Sequence, residues 1–221
     1  MIKTVIAASL IGLASAPLLV QAQSAGNQQQ APLPPALRAA INSGNAAAVQ
    51  QAINTLAGGN PSRAALLAAQ TMAAAEQLIA TNPAAAAAVA NAAMRIAQSP
   101  AVQSAAPAQV VGMLSAAARI MVAPAVMNAA PAVAAQLAAT TVAVASTPTM
   151  VAAAPTVSAA VAAAAQTVAS NPTVIAAAPS VASLLLNSAV RLTATLDAPN
   201  IAEPNPALII ERQISLAASP S

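Results

Sequence analysis

The chain has no cysteine, histidine, phenylalanine, tyrosine or tryptophan, and little charge: seven Lys/Arg and four Asp/Glu in 221 residues. Each absence excludes a class of chemistry. Without cysteine there is no disulfide framework, no thiolate nucleophile and no Cys zinc site. Without histidine the usual general base and the commonest transition-metal ligand are missing. Without aromatics there is no base-stacking platform, aromatic cage or sugar-stacking face. What is present is mostly alanine, 71 residues of it, with 18 prolines.

The first 22 residues read as a secretory signal peptide. Lys3 supplies a short positive region, an apolar stretch runs to Val20, and Val20-Gln21-Ala22 is a small-x-small cleavage site. Cleavage is expected between Ala22 and Gln23. The expected destination is export, into the periplasm or outside a bacterial cell. Past the cleavage point the chain holds six arginines, four acids and no lysine. The high pI therefore reflects few titratable groups rather than a basic surface, and no nucleic-acid partner is expected.

The prolines keep time. They fall at 83, 100, 107, 124, 131, 148, 155, 172 and 179, with spacings of 17 and 7 in strict alternation. That is a 24-residue repeat, and a repeat decides the fold reading before any other signal. One proline of each pair follows Ser99, Ala123, Thr147 or Asn171, and the other follows Ala106, Ala130, Ala154 or Ala178. Ser, Thr and Asn are N-cap residues, and proline is favoured in the first helical turn. The pairs Asn60-Pro61, Asn82-Pro83 and Asn205-Pro206 read as helix starts for the same reason.

Apolar columns follow the same period. Six residues after the proline that opens each 17-residue segment stand Val89, Met113, Leu137, Val161 and Leu185. Thirteen residues after it stand Ile96, Ile120, Val144, Val168 and Leu192. Two residues after it, in the later units, stand Val133, Val157 and Val181. These offsets trace one stripe of an α-helix. The 7-residue segments carry Val102, Val126, Met150 and Val174 at one fixed place. Alanine has the best helix propensity but little area to bury, so one unit could not fold alone whereas stacked units can. A continuous helix through each Ala-Pro site would cost about 3 kcal/mol per interior proline, so a true break is expected there.

The expected fold is all-α: a right-handed-type α-solenoid of short Ala-rich helices with irregular caps at both ends. The expected divisions are the signal peptide (residues 1–22), a polar Pro-rich linker (23–35), an N-terminal helical cap (36–82), the 24-residue repeats (83–196), and a C-terminal Pro-rich segment with a capping helix (197–221). In the N-terminal cap, Leu37, Ile41, Val49, Ile53 and Leu56 are the expected buried residues, and Glu76 stands where the period calls for proline.

Few residues suggest a site. Arg95, Arg119 and Arg191 share one position, twelve residues after the opening proline. They read as a basic surface contact for an anionic polymer or lipid headgroups, or more plainly as arginines whose stems cover alanine surface while their heads stay wet. A two-carboxylate glycosidase needs acids about 5–10 Å apart. Glu203 and Glu211 are near each other in sequence, but nothing around them suggests a sugar site. Thr147, Thr149, Thr156, Thr173 and Ser180 recur near helix starts, a pattern compatible with ice binding, although Ala101, Ala108, Ala125 and Ala132 hold the same phases in earlier units. The mean hydropathy of +0.72 comes largely from Ala and Val, so any membrane contact is expected to be peripheral.

The expectation is a non-enzyme with no cofactor and no metal, serving as a structural or interaction scaffold for an envelope component or another protein. The alternative is a surface-active protein, envelope-associated or ice-binding. Circular dichroism of the chain from Gln23 onward should show predominantly helix, and a coil-like spectrum in buffer would overturn the fold reading.

Overall fold

The computed structural model describes residues 33–197. Among these residues there are twelve α-helices and no strand. The first four are α1 (Pro35–Asn42), α2 (Ala46–Ala57), α3 (Pro61–Leu78) and α4 (Pro83–Ala97). Short and long helices then alternate: α5 (Pro100–Ala105), α6 (Pro107–Met121), α7 (Pro124–Ala129), α8 (Pro131–Ala145), α9 (Pro148–Ala153), α10 (Pro155–Ala169), α11 (Pro172–Ala177) and α12 (Pro179–Asp197). Residues 1–32, which include the expected signal peptide, and the residues from 198 onward lie outside the described range. Pro35 opens α1, and Leu33 before it packs against the core.

Eleven of the twelve helices have proline in the first turn or are opened by it, α2 being the exception. Proline sets both ends of the interior helices. It starts one helix, because its missing N–H has no partner in the first turn anyway. It also stops the helix before, because its ring excludes the preceding residue from the α region. Ala106, Ala130, Ala154 and Ala178 sit before such prolines at φ −148 to −149° and ψ 57 to 65°. The Ala-Pro sites are therefore true breaks, one residue long. The broken residue stays bonded: the Ala106 N–H donates to the Val102 carbonyl at 3.0 Å, and the Ala106 carbonyl accepts from the Val110 N–H at 3.2 Å. The turn thus leaves no orphaned backbone group at that alanine.

Where the proline is missing, the helix runs on. Glu76 and Leu196 occupy the positions at which the interior period would place a helix-stopping proline. Accordingly α3 has 18 residues and α12 has 19, against 15 for α4, α6, α8 and α10.

The hydroxyl caps expected from sequence are only partly made. Asn45, Asn60 and Asn82 each accept a hydrogen bond from the backbone N–H three residues on, at 3.1 Å, and Asn171 accepts from the Thr173 N–H at 2.9 Å. Ser99 and Thr147 make no capping bond. The Thr147 hydroxyl turns back and donates to the Val144 carbonyl at 2.8 Å. Ala123 opens α7 equally well with no polar group, so at these junctions the proline rather than the cap defines the start.

The inward columns are buried. Val89, Met113, Leu137, Val161 and Leu185 are all sealed from solvent, as are Ile120, Val144, Val168 and Leu192; Ile96 is half-buried. Val102, Val126, Met150 and Val174 of the short helices are buried with them. Val133, Val157 and Val181 lie at the edge, partly buried against the core. In the N-terminal helices Leu37, Ile41, Val49 and Ile53 are buried and Leu56 is half-buried.

Packing follows a regular order. α4 packs on α8 and α8 on α12; α3 packs on α6 and α6 on α10. Each of these helices also packs on the next long helix in the chain. A long helix therefore meets both its successor and its next-but-one neighbour. Fully buried alanines such as Ala86, Ala90, Ala93, Ala117, Ala138 and Ala165 fill the faces between them. Small side chains let the helix axes approach, and dispersion over many such contacts replaces the bulk of a leucine-rich core. Buried polar side chains are few and paired. Asn91 of α4 accepts from the Thr140 hydroxyl of α8 at 3.0 Å. The Gln103 amide donates to the Ala97 carbonyl at the end of α4 at 3.0 Å, and the Ser158 hydroxyl donates to the Ala145 carbonyl at 3.1 Å.

Val161→Asp should remove more than about 3 kcal/mol of stability, because it places an unpaired charge at a fully buried site; urea unfolding followed by circular dichroism measures this. Gly44 and Gly58 both have positive φ, at 65° and 59°. A Cβ on Gly44 would also meet the Ala85 Cβ at 2.8 Å, whereas one on Gly58 meets open space. Gly44→Ala should therefore cost more than Gly58→Ala, which should itself cost roughly 1 kcal/mol. Equal losses would show that the turn between α1 and α2 is not pressed against α4.

Candidate functional site

The three arginines that share a repeat position are all exposed. The reason lies in helix geometry. The residues six, ten and thirteen after the opening proline point inward, so the residue twelve after it falls on the outer side. Arg95 and Arg119 stand in the last turns of α4 and α6, where a cation opposes the negative end of the helix dipole. Arg191 is in the middle of the longer α12.

Each arginine lines a different cleft. Arg95 borders a cleft of 490 Å³ between the ends of α2 and α4 and the starts of α3 and α5, together with Asn54, Asn60 and Ser99 over an apolar floor that includes Ala57, Ala64 and Val102. Arg119 borders one of 370 Å³ between α6 and α10, with Ser115, Thr156 and Val157. Arg191 borders one of 350 Å³ between α8 and α12, with Ser146, Leu184, Ser188 and Thr195. Two of the clefts thus lie in the seams between next-but-one helices. Volumes of this order suit a small ligand or one side chain of a partner.

The arginines differ in their surroundings. Arg119 is tied: its Nε donates to Oε1 of Glu76 at 2.8 Å, and its Nη2 lies 2.7 Å from the same oxygen. This is the one ion pair among the described residues, and it links α3 to α6. The Arg119 side chain remains 65% exposed, so the pair contributes only about 0–1 kcal/mol. Glu76 is a residue whose sequence signal, an acid in place of an expected proline, pointed to irregularity but not to a partner.

Arg95 presents its guanidinium beside Asn54, Asn60 and Ser99; at Arg191 the Ser146 and Thr195 hydroxyls donate to helix carbonyls, so the guanidinium and Ser188 are the donors that suit a carboxylate or phosphate. No described cleft offers a nucleophile with a general base. Among the described residues no group of three or more His, Cys, Asp or Glu is placed to hold a metal ion, and no helix is long and apolar enough to cross a membrane.

The remaining candidates separate cleanly. Ala22 and Gln23, and the pair Glu203 and Glu211, lie outside the described residues. Thr149, Thr156 and Ser180 are exposed, whereas Thr147 is half-buried and bonded to the helix before it. The Thr173 hydroxyl is shared between the Asn171 side chain and the Met127 carbonyl, at 3.4 Å from the latter, and so bridges α11 to α7. Sequence reasoning missed Asn54 and Asn60 as cleft residues. Asn60 was legible only as a cap, and Asn54 carried no signal at all.

No protein-family model matches the chain, and comparison with curated proteins and with solved structures finds no similar one.

Arg119→Ala should shift stability by less than about 1 kcal/mol, since it removes a largely exposed ion pair. A loss comparable to that of Val161→Asp in thermal unfolding would show that the faces are wrongly assigned.

Proposed function

We propose that the chain is an exported, non-catalytic α-solenoid that serves as a structural or interaction scaffold in the periplasm or at the cell surface. The observation that carries this reading is the recurrence of one environment. Successive long helices bury the same columns, as stacked repeats do, and each meets its successor together with its next-but-one neighbour. Such an array offers a long surface with evenly repeated features, and binding is the common use of such surfaces.

The recognition elements are the clefts at Arg95 and Arg191. Each pairs a guanidinium with neutral polar side chains over an apolar floor, of alanine and valine at Arg95 and of leucine, valine and alanine at Arg191. A partner with exposed carboxylates or phosphates fits this donor set. Binding would be peripheral to any membrane, and neither cofactor nor metal takes part. The composition points the same way, because the chain has neither histidine, the commonest general base, nor a cysteine thiolate.

The chain from Gln23 onward, immobilised as bait, should retain a specific component of the envelope or secreted fraction. Arg95→Glu combined with Arg191→Glu should lower that capture several-fold at unchanged helicity. Capture unaffected by the charge reversals would overturn the assignment of the clefts. Partition of the wild-type protein into detergent, or ice shaping by it, would overturn the scaffold reading in favour of a surface-active protein.

A further inference from the structure

The molecule carries its own template for the Arg191 cleft. Counted from their opening prolines, α3 and α8 are in one register. Both bury the residues at offsets three, four, six, seven, ten, eleven and fourteen. Both carry threonine at offset ten, Thr71 and Thr141, whose hydroxyl donates to the carbonyl at offset six, at 2.8 Å and 2.7 Å. Their next-but-one partners, α6 and α12, share buried offsets three, six, ten and thirteen. The α3–α6 and α8–α12 seams are therefore equivalent places. In these seams Arg119 and Arg191 stand at offset twelve, and Glu76 and Ser146 at offset fifteen on the helix opposite.

In the first seam the Glu76 carboxylate reaches across to the Arg119 guanidinium, 2.7 Å from Nη2. In the second the acid is replaced by Ser146, whose hydroxyl is spent on the Ala143 carbonyl at 3.1 Å, and Ser146 and Arg191 line one cleft of 350 Å³. Among the described residues no acid pairs with Arg191. The α4–α8 and α6–α10 seams have Ala143 and Thr167 where these two have arginine. The α8–α12 seam thus keeps the cation and lacks the acid. Its cleft also gains apolar surface: Leu184, 67% exposed, lines it where α6, α8 and α10 carry Gly112, Gln136 and Ala160. Leu184 lies seven residues before Arg191, on the same side of α12 and about 10 Å along it. We propose that this cleft binds an apolar monocarboxylate of the medium-chain fatty-acid class. Its carboxylate takes the place at Arg191 that Glu76 takes at Arg119, and its chain runs toward Leu184. The guanidinium fixes one end, and burial of the chain contributes the rest. The proposal rests on the assignment of this cleft as a recognition element.

The probe is carboxyl-labelled decanoate, titrated into the full chain below its micelle-forming concentration and followed by the carboxyl NMR shift. Arg191→Ala and Ser146→Glu should each weaken binding at least about tenfold, the first by removing the guanidinium and the second by supplying it with an internal carboxylate. Ser146→Gln, which has the size without the charge, and Arg95→Ala, in a different cleft, should stay within about twofold of wild type. Leu184→Ser should weaken decanoate several-fold while leaving the weaker binding of propionate unchanged. All four positions are exposed, so each variant should keep the wild-type circular dichroism. No saturable binding, or wild-type affinity in Arg191→Ala or Leu184→Ser, overturns the proposal. The capture experiment is read separately. An envelope component still retained by a chain that ignores decanoate overturns this ligand and leaves the scaffold reading standing, whereas decanoate bound at Arg191 with no component captured does the reverse.

Discussion

The steric conflict between a proline ring and the residue before it governs the rest of this structure. A chain so rich in alanine would otherwise favour continuous helix. Recurring prolines forbid that, and the residue before proline takes the same non-helical conformation at Ala106, Ala130, Ala154 and Ala178. Helix length is therefore limited from outside the helix. The two helices that exceed the interior length, α3 and α12, are those whose stopping proline is replaced by another residue.

Fixed lengths make fixed faces useful. Because each long helix restarts in the same phase, the same columns turn inward each time, and alanine at the intervening positions permits close approach. Polar exceptions inside this packing are matched one by one: Asn91 to Thr140, Gln103 to the end of α4, Ser158 to the end of α8. Every described buried side-chain nitrogen and oxygen has a hydrogen-bond partner. Such pairs add orientation to a core whose alanines alone would specify little.

Much of this was legible in the sequence, and the limits are physical. Proline spacing reports local backbone restrictions, so helix starts and the break before Pro107 could be read directly. Periodicity reports which side of a helix is apolar, so Val161 and Leu137 could be placed inside. Neither signal says which neighbour a face will meet. The next-but-one packing of α4 on α8, and the pairing of Glu76 with Arg119 across 43 residues, depend on how breaks accumulate in three dimensions. The caps expected at Ser99 and Thr147 are not made, and the Thr147 hydroxyl donates instead to the Val144 carbonyl of the helix before it. The clefts joined residues of no individual distinction, such as Asn54 and Ser99, through packing alone.

Met72, Met94, Met113, Met121 and Met150 are among the largest fully buried side chains, and Met127 is 8% exposed. In a core without aromatics the flexible thioether is the natural filler for irregular gaps between alanine faces. It is also the side chain most open to oxidation in a chain with no cysteine, and conversion to the polar sulfoxide would wedge those faces apart. Chemical durability and folding are thus the same property here. While the helices stay stacked, oxidants meet little they can attack, and the rate of methionine oxidation becomes a measure of how often the stack opens.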